Sequence, residues 1–258
     1  MSERVIGILG VGHLAGFLLE GLRSGGRQDR VVLSPRGKAK AAALAERFAA
    51  EVAPDNQAVI DACDVILVSL PAASGRGILS DLKFRAGQTV LSAMAGTSSE
   101  ELLEIVTPAS AHCTMMPGYA NALGIGPSLL YPANEVCEEL LGRLGPVHIF
   151  EDKGAFEAAC VFGAFSGASF VFMQRIVAWF EAQGVPADVA RNLVAETLRG
   201  NAEVVRTIDQ PLDSIVEGIA TAGGITWQCV DALDGEGALA SWSGALDAVN
   251  ARMKRGMD

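Results

Sequence analysis

The residues Gly10-x-Gly12-x-x-Ala15 follow the apolar run "RVIGIL" and open a stretch with helical spacing, "GFLLEGLRSGG". Strand, glycine turn and helix in that order make a place for a pyrophosphate. Gly10 permits the tight turn, Gly12 lets an anion approach the backbone, and Ala15 lets helix and strand pack closely. The unpaired N–H groups at the helix start, His13 and Leu14 among them, would then hold the anion with the positive end of the helix dipole.

A second apolar run, Val31 to Leu33, ends in Ser34-Pro35-Arg36, with Lys38 and Lys40 close behind. An NAD site would usually place Asp or Glu here, to hold two ribose hydroxyls. A carboxylate would repel a 2′-phosphate, whereas Ser34 can donate a hydrogen bond and Arg36 can make a bidentate contact. The alternative is an ordinary solvated helix start. Cations are disfavoured near a helix N-terminus, however, so three of them together favour a bound anion. The expected cofactor is NADP(H), in preference to NAD(H).

Farther on, "AGGITW" carries Gly224, Ile225 and Thr226. A Gly-Gly turn entering a helix presents unpaired backbone donors, and a threonine hydroxyl beside them can hydrogen-bond a substrate. Taken alone, the stretch reads more readily as a helix–helix connection.

Alternating strands and helices position the first two groups. Apolar runs near residues 4–9, 31–33 and 64–69, and another within "GILSDLKFRAGQTVLSAMAG", are separated by helical stretches, the pattern of a parallel sheet covered on both faces. After about residue 150 the alternation stops. Helical runs 154–183, 186–206, 212–220, 225–234 and 237–254 follow, joined at glycine and proline. The expected fold class is α/β: an N-terminal Rossmann-like doubly wound parallel sheet over 1–152, then an all-α dimerisation domain over 153–258. The run from Gly154 to Glu181 is apolar on nearly every side, more than about a hundred residues could cover alone, so a second subunit is expected against it.

Composition narrows the function. The chain has 258 residues, half of them apolar, and a net charge of −10, which argues against nucleic acid or an anionic membrane surface as partner. Five scattered cysteines form no CxxC, and three isolated histidines show no ligand spacing, so no metal site is expected. No signal segment and no unbroken apolar run of about 18 residues is read, which points to a cytoplasmic protein.

Taken in order, the glycine turn, "SPR", "DN…ACDVILVSLP", "VLSAMAG", "MMPGYANALGIG", "FSGASFVF" and "AGGIT" resemble the pyrroline-5-carboxylate reductases over nearly the whole chain. The resemblance implies a Rossmann domain for NAD(P)H, a helical domain that interlocks into dimers or larger homo-oligomers, an active site between the domains, and reduction of a cyclic imine to proline. It implies that Asn56 contacts the adenosine side of the cofactor, and that Ser69, Leu70, Pro71, Ala95 and Gly96 line the nicotinamide half. Thr226 would contact the imine nitrogen as the catalytic residue, and the amides of Gly224, Ile225 and Thr226 would hold the substrate carboxylate. The chain departs from the family pattern mainly on the substrate side. Leu70 replaces a lysine, Thr114 to Ala120 lose an arginine, an asparagine and a proline, and Phe165 to Phe170 replace Gly-Ser-Gly-Pro-Ala-Tyr.

Two other functions fit parts of the pattern. A 3-hydroxyacid-type dehydrogenase shares a Rossmann domain followed by helices, but it needs a lysine on the first long helix, and 154–181 contains none. A non-catalytic NADP-binding assembly protein would explain the altered substrate side, against which Thr226 stands.

Overall fold

The computed structural model describes residues 4–26 and 28–254. Among them the strands are β1 (Ile6–Leu9), β2 (Val31–Leu33), β3 (Glu51–Val52), β4 (Val65–Val68), β5 (Thr89–Ser92), β6 (Ser110–Met115), β7 (Ser128–Tyr131) and β8 (Val147–Ile149). They form one sheet in the order β3-β2-β1-β4-β5-β6-β7-β8. Neighbours from β3 to β6 are parallel, as the alternating pattern predicts.

The helices of this part are α1 (His13–Arg23), α2 (Lys38–Phe48), α3 (Asn56–Ala62), α4 (Ala72–Ser80), α5 (Ser99–Val106), α6 (Tyr119–Ala122), α7 (Glu135–Gly142) and α8 (Lys153–Ala159). Successive strand residues point to opposite faces. In β4, Val65 and Leu67 join Leu18, Leu19 and Leu22 of α1, while Ile66 and Val68 join Val59 and Ile60 of α3. Each of those α1 leucines is at most 1% exposed, which stabilises the helix seat by about 1.5–3 kcal/mol apiece. Helix α1 is therefore anchored directly behind the glycine turn.

One pairing departs from the parallel plan. β6 and β7 are antiparallel. The only helix joining them is α6, four residues long, about 6 Å of rise, which cannot carry the chain back along a strand of about 20 Å.

The remaining helices are α9 (Phe162–Ala182), α10 (Ala187–Thr207), α11 (Leu212–Ile219), α12 (Ile225–Gly235) and α13 (Ala238–Lys254). Two compact units result. The first runs to Gly163 and takes in the chain from Asn250; the second is Ala164–Val249. The helical boundaries follow the expected punctuation, with Pro186 and Pro211 as N-caps and Gly184 and Gly223 at positive φ.

The single helix expected over 154–183 is two. Cys160 and Val161, each 7% exposed, separate α8 from α9. Val161 N–H bonds to Ala158 and Gly163 N–H to Cys160, so the chain tightens into i→i+3 turns as these side chains enter the core. The stretch Lys153–Ala182 is long and apolar enough to cross a membrane by length and composition. Its first turns instead pack Phe156 and Cys160 into the sheet core. Within α9 no residue is buried, and Phe165, Phe170, Val171 and Trp179 are each at least half exposed.

Candidate functional site

The sheet places the ends of β2, β1 and β4 side by side, and β1 is where the strand order reverses. Ligands of open α/β sheets bind at such a switch point. At the end of β1, Gly10 has φ +98°, and a Cβ there would lie 2.6 Å from the Ser69 carbonyl oxygen. Only glycine fits. Its amide donates to the Ser34 hydroxyl oxygen at 3.0 Å, and its carbonyl accepts from the Ser69 hydroxyl at 2.7 Å.

Gly12 differs from Gly10 in both respects. It has an ordinary backbone angle, and a Cβ built on it would meet no atom within 4 Å. It is the N-cap of α1 and supplies no side-chain cap, and the first turn of the helix carries no acidic residue. The amides of His13 and Leu14 thus begin a helix whose N-terminal donors face open space, while Ala15 behind them is fully buried. The cradle fits a phosphate anion.

Beyond the cradle, Arg36, Lys38 and Lys40 are exposed, and their side chains form no ion pair among the described residues. Gly37, at φ +79°, turns the chain from Arg36 into α2 without an acidic first turn. Ser34 is 2% exposed, and its oxygen accepts from Gly10, which ties β2 to the glycine turn while its own O–H remains a donor. Arg36 is the exposed group that can read a 2′-phosphate.

The other expected cofactor residues lie at the same edge of the sheet. Asn56 begins α3, after Asp55 caps that helix through the Ala58 amide. Leu70 is buried and Pro71 is the exposed N-cap of α4. Ala95 and Gly96 follow β5; Gly96 has φ +74°, and its carbonyl accepts from Arg76 at 2.6 Å. Arg76 carried no signal in the sequence, because its partner is a backbone carbonyl brought near by folding.

Gly224, Ile225 and Thr226 belong to the second unit, at the start of α12. Gly224 is the N-cap, with no side-chain cap bond, and Gly223 before it has φ +73°. The Gly224 amide is not free, because it donates to the Thr221 carbonyl at 2.9 Å. That corrects the expected three-amide cradle to the donors of Ile225 and Thr226. Ile225 is 86% exposed, and the half-buried Thr226 hydroxyl has no hydrogen-bond partner among the described residues.

No group of three or more His, Cys, Asp or Glu suited to a metal occurs among the described residues. A cavity of about 740 Å³ in the first unit touches the expected site only at Ala95 and Gly96. The rest of its lining, including Thr97, Thr114 and Asn250, is scattered along the chain and had no motif to announce it.

Known proteins with this arrangement share it along the chain. Residues 5–96 match the family described as NADP oxidoreductase coenzyme F420-dependent, and residues 155–256 match pyrroline-5-carboxylate reductase dimerisation. Pyrroline-5-carboxylate reductase 1 of Bacillus spizizenii is 22% identical over 265 residues, covering 98% of this chain and 89% of its own. The 1-pyrroline-5-carboxylate reductase structure from Streptococcus pyogenes superposes with a TM-score of 0.87 at 21% identity, covering 98% of each chain. Pyrroline carboxylate reductase from Plasmodium falciparum, solved with NADP bound, gives 0.87 at 18% identity and covers 99% of this chain and 98% of that one. The structural likenesses establish the fold. With a reductase dimerisation module following the dinucleotide module, and curated relatives aligned from end to end, the chain belongs to the pyrroline-5-carboxylate reductase family.

Proposed function

We propose that this protein is an NADPH-dependent reductase of a cyclic imine, 1-pyrroline-5-carboxylate or a related imino acid, and acts in the cytoplasm as a homo-oligomer. The observation that carries the reading is the open end of α1 at Gly12, with Arg36 beyond Ser34 exposed and in no ion pair among the described residues. Residues 1–152 serve the cofactor, and 153–258 serve the substrate and the subunit contact. The amides of His13 and Leu14 hold the pyrophosphate, Arg36 the 2′-phosphate and Asn56 the adenosine side. Ser69, Leu70, Pro71, Ala95 and Gly96 shape the nicotinamide end.

When bound, NADPH supplies a hydride for the carbon of a C=N bond. The second unit contributes a hydroxyl and two amides. Thr226 hydrogen-bonds the imine nitrogen and holds a proton there as that nitrogen becomes an amine. The Ile225 and Thr226 amides hold the carboxylate. Reduction of an imine needs positioning more than a strong side-chain acid, which suits a site built from a hydroxyl and backbone donors.

The exposed apolar side chains of α9 give the oligomer its reason, since a patch containing Phe165, Phe170 and Trp179 calls for a partner surface. An assay of NADPH oxidation by the purified protein tests the function. Turnover with 1-pyrroline-5-carboxylate or another cyclic imine supports it. Turnover confined to 3-hydroxyacids with NADP⁺, or no turnover with a panel of imines, overturns it.

A further inference from the structure

One exposed cation grips the backbone that is proposed to line the nicotinamide end. Arg76, on α4, donates from Nη2 to the Gly96 carbonyl at 2.6 Å. The same nitrogen lies 3.6 Å from Glu101 Oε2. That carboxylate oxygen accepts from the Ser98 amide at 3.0 Å, and the Ser98 hydroxyl accepts from the Glu101 amide at 3.2 Å. Arg76 thus joins α4 to the start of α5, and the segment between β5 and α5 is held at Gly96 and again at Ser98.

Gly96 is where a hold has most to do. It has φ +74°, and glycine takes positive and negative φ about equally, so its own backbone does little to fix the peptide that follows. A guanidinium on the carbonyl selects one orientation, because a charge-assisted hydrogen bond is roughly twice as strong as a neutral one. The helix that carries Arg76 is itself close by. A Cβ on Gly75 would collide with Met94 Sδ, so α4 lies tight against the residue before Ala95. The amides of Ala95 and Gly96 are partly exposed and donate to no acceptor among the described residues. Both residues line a cavity of about 740 Å³. They are donors that the segment can offer to a ligand, and fixing the Gly96 carbonyl fixes the turn that carries them.

We propose that Arg76 is a positioning residue, which seats the nicotinamide by holding the Gly96 carbonyl and so sets the approach of the hydride donor to its acceptor. The inference rests on the reading that Ala95 and Gly96 line the nicotinamide end. Arg76 acts through a backbone group and belongs to no part of the phosphate cradle. Its side chain is 44% exposed, and surface pairs of this kind contribute little to stability, so a purely structural tie would leave the reaction untouched.

Arg76→Met tests the proposal, since methionine keeps the stem and loses the donor. Tm of the full chain should stay within about 2 °C of wild type. Affinity for 2′,5′-ADP, the adenosine half of NADP with its 2′-phosphate, should be unchanged. The nicotinamide fluorescence of bound NADPH should move toward that of the free cofactor. With 1-pyrroline-5-carboxylate at saturating NADPH, kcat should fall at least about tenfold while KM for the imine stays within about threefold, as misplacement of a reacting group implies. Only one guanidinium nitrogen bonds Gly96, so Arg76→Lys should recover much of both signals. Four results overturn the proposal: wild-type emission and kcat in Arg76→Met, no recovery with lysine, an equal loss of 2′,5′-ADP affinity, or a rise in KM alone. The third would make Arg76 a general tie of the fold, and the fourth would put it on the substrate. The emission readout needs no turnover. A wild type that reduces no imine therefore removes the imine reading, while emission still decides Arg76.

Discussion

The hydroxyl oxygen of Ser34 accepts the Gly10 amide at 3.0 Å, joining the end of the second strand to the turn that begins the cofactor cradle. Ser69 grips the same glycine from the other side, by donating to its carbonyl. A residue at the position that should choose between NAD and NADP thus shapes the turn that both cofactors share. Ser34→Ala would leave a part-buried N–H unpaired, a cost of about 1 kcal/mol, and Tm should fall by about 2–4 °C. NADPH and NADH affinities should fall together. Titration of both cofactors checks this, and a loss confined to NADPH would return Ser34 to the phosphate.

Arg36 should show the opposite signature. It is exposed and forms no ion pair among the described residues, so Arg36→Ala costs the fold little. A lost charge-assisted contact is worth about 1.5–3 kcal/mol, and NADPH should bind at least about tenfold more weakly while NADH is unchanged. Comparing the two dissociation constants decides it; equal losses would remove Arg36 from the 2′-phosphate.

Gly10 and Gly12 separate folding from binding within one motif. Gly10→Ala forces a Cβ to within 2.6 Å of a backbone oxygen, at a φ of +98°. It should lower Tm by several degrees, as strain of about 1–3 kcal/mol implies. Gly12→Ala meets no atom within 4 Å and needs no positive φ. Its Tm should stay close to wild type while dinucleotide affinity drops, because the methyl group occupies the approach to the α1 amides. Melting curves with and without NADPH distinguish the two, and a strongly destabilised Gly12→Ala would contradict the open cradle.

What could be read in advance follows from what is local. The strands came from short apolar runs, whereas the caps of Asp55, Ser98 and Asp152, each accepting from the amide three residues on, are seen only in the structure. The parallel order of β1, β2 and β4 follows from helices long enough to return the chain. The turn of β7 against β6 was hidden, because nothing local marks a connection whose helix, of four residues, is too short for a crossover. Three features of the sites were also hidden. Ser34 turns inward toward Gly10, the Gly224 amide is taken by Thr221, and Thr97, Thr114 and Asn250 meet around a cavity. Each is a relation between residues whose spacing has no period, so only tertiary packing brings it about.

Four cysteines should behave as core residues. Burial pushes the thiols of Cys63, Cys113, Cys137 and Cys160 up to about 12. At pH 8 they should resist iodoacetamide in the native protein and react once it is unfolded, as peptide mass spectrometry would show. A raised thiol pKa favours the protonated folded state. Its contribution is therefore complete below the ordinary value of 9.0, and is lost as pH climbs from 9.0 through about 12. The urea midpoint should decline over that window. Rapid native labelling of any of the four at pH 8 would refute its burial.

Thr226 carries the link from fold to reaction. It begins α12 behind an N-cap without a side chain, and its hydroxyl has no partner among the described residues. A structural role would therefore have little to lose, and Thr226→Ala should leave Tm within about 2 °C of wild type, since substitutions away from a cap or a core cost roughly half a kcal/mol. A catalytic role has much to lose. A hydrogen bond to a nitrogen whose charge changes acts most strongly at the transition state, so kcat should fall by about one to several powers of ten. NADPH affinity should hold, because the α1 cradle belongs to the first unit and Thr226 to the second. Thr226→Ser keeps the hydroxyl and loses only a methyl, and should recover most of the rate. Measuring kcat, NADPH affinity and Tm on the wild type and both variants separates the two roles. Wild-type kcat in Thr226→Ala would remove its hydroxyl from the chemistry and leave the two amides of α12 to hold the substrate alone.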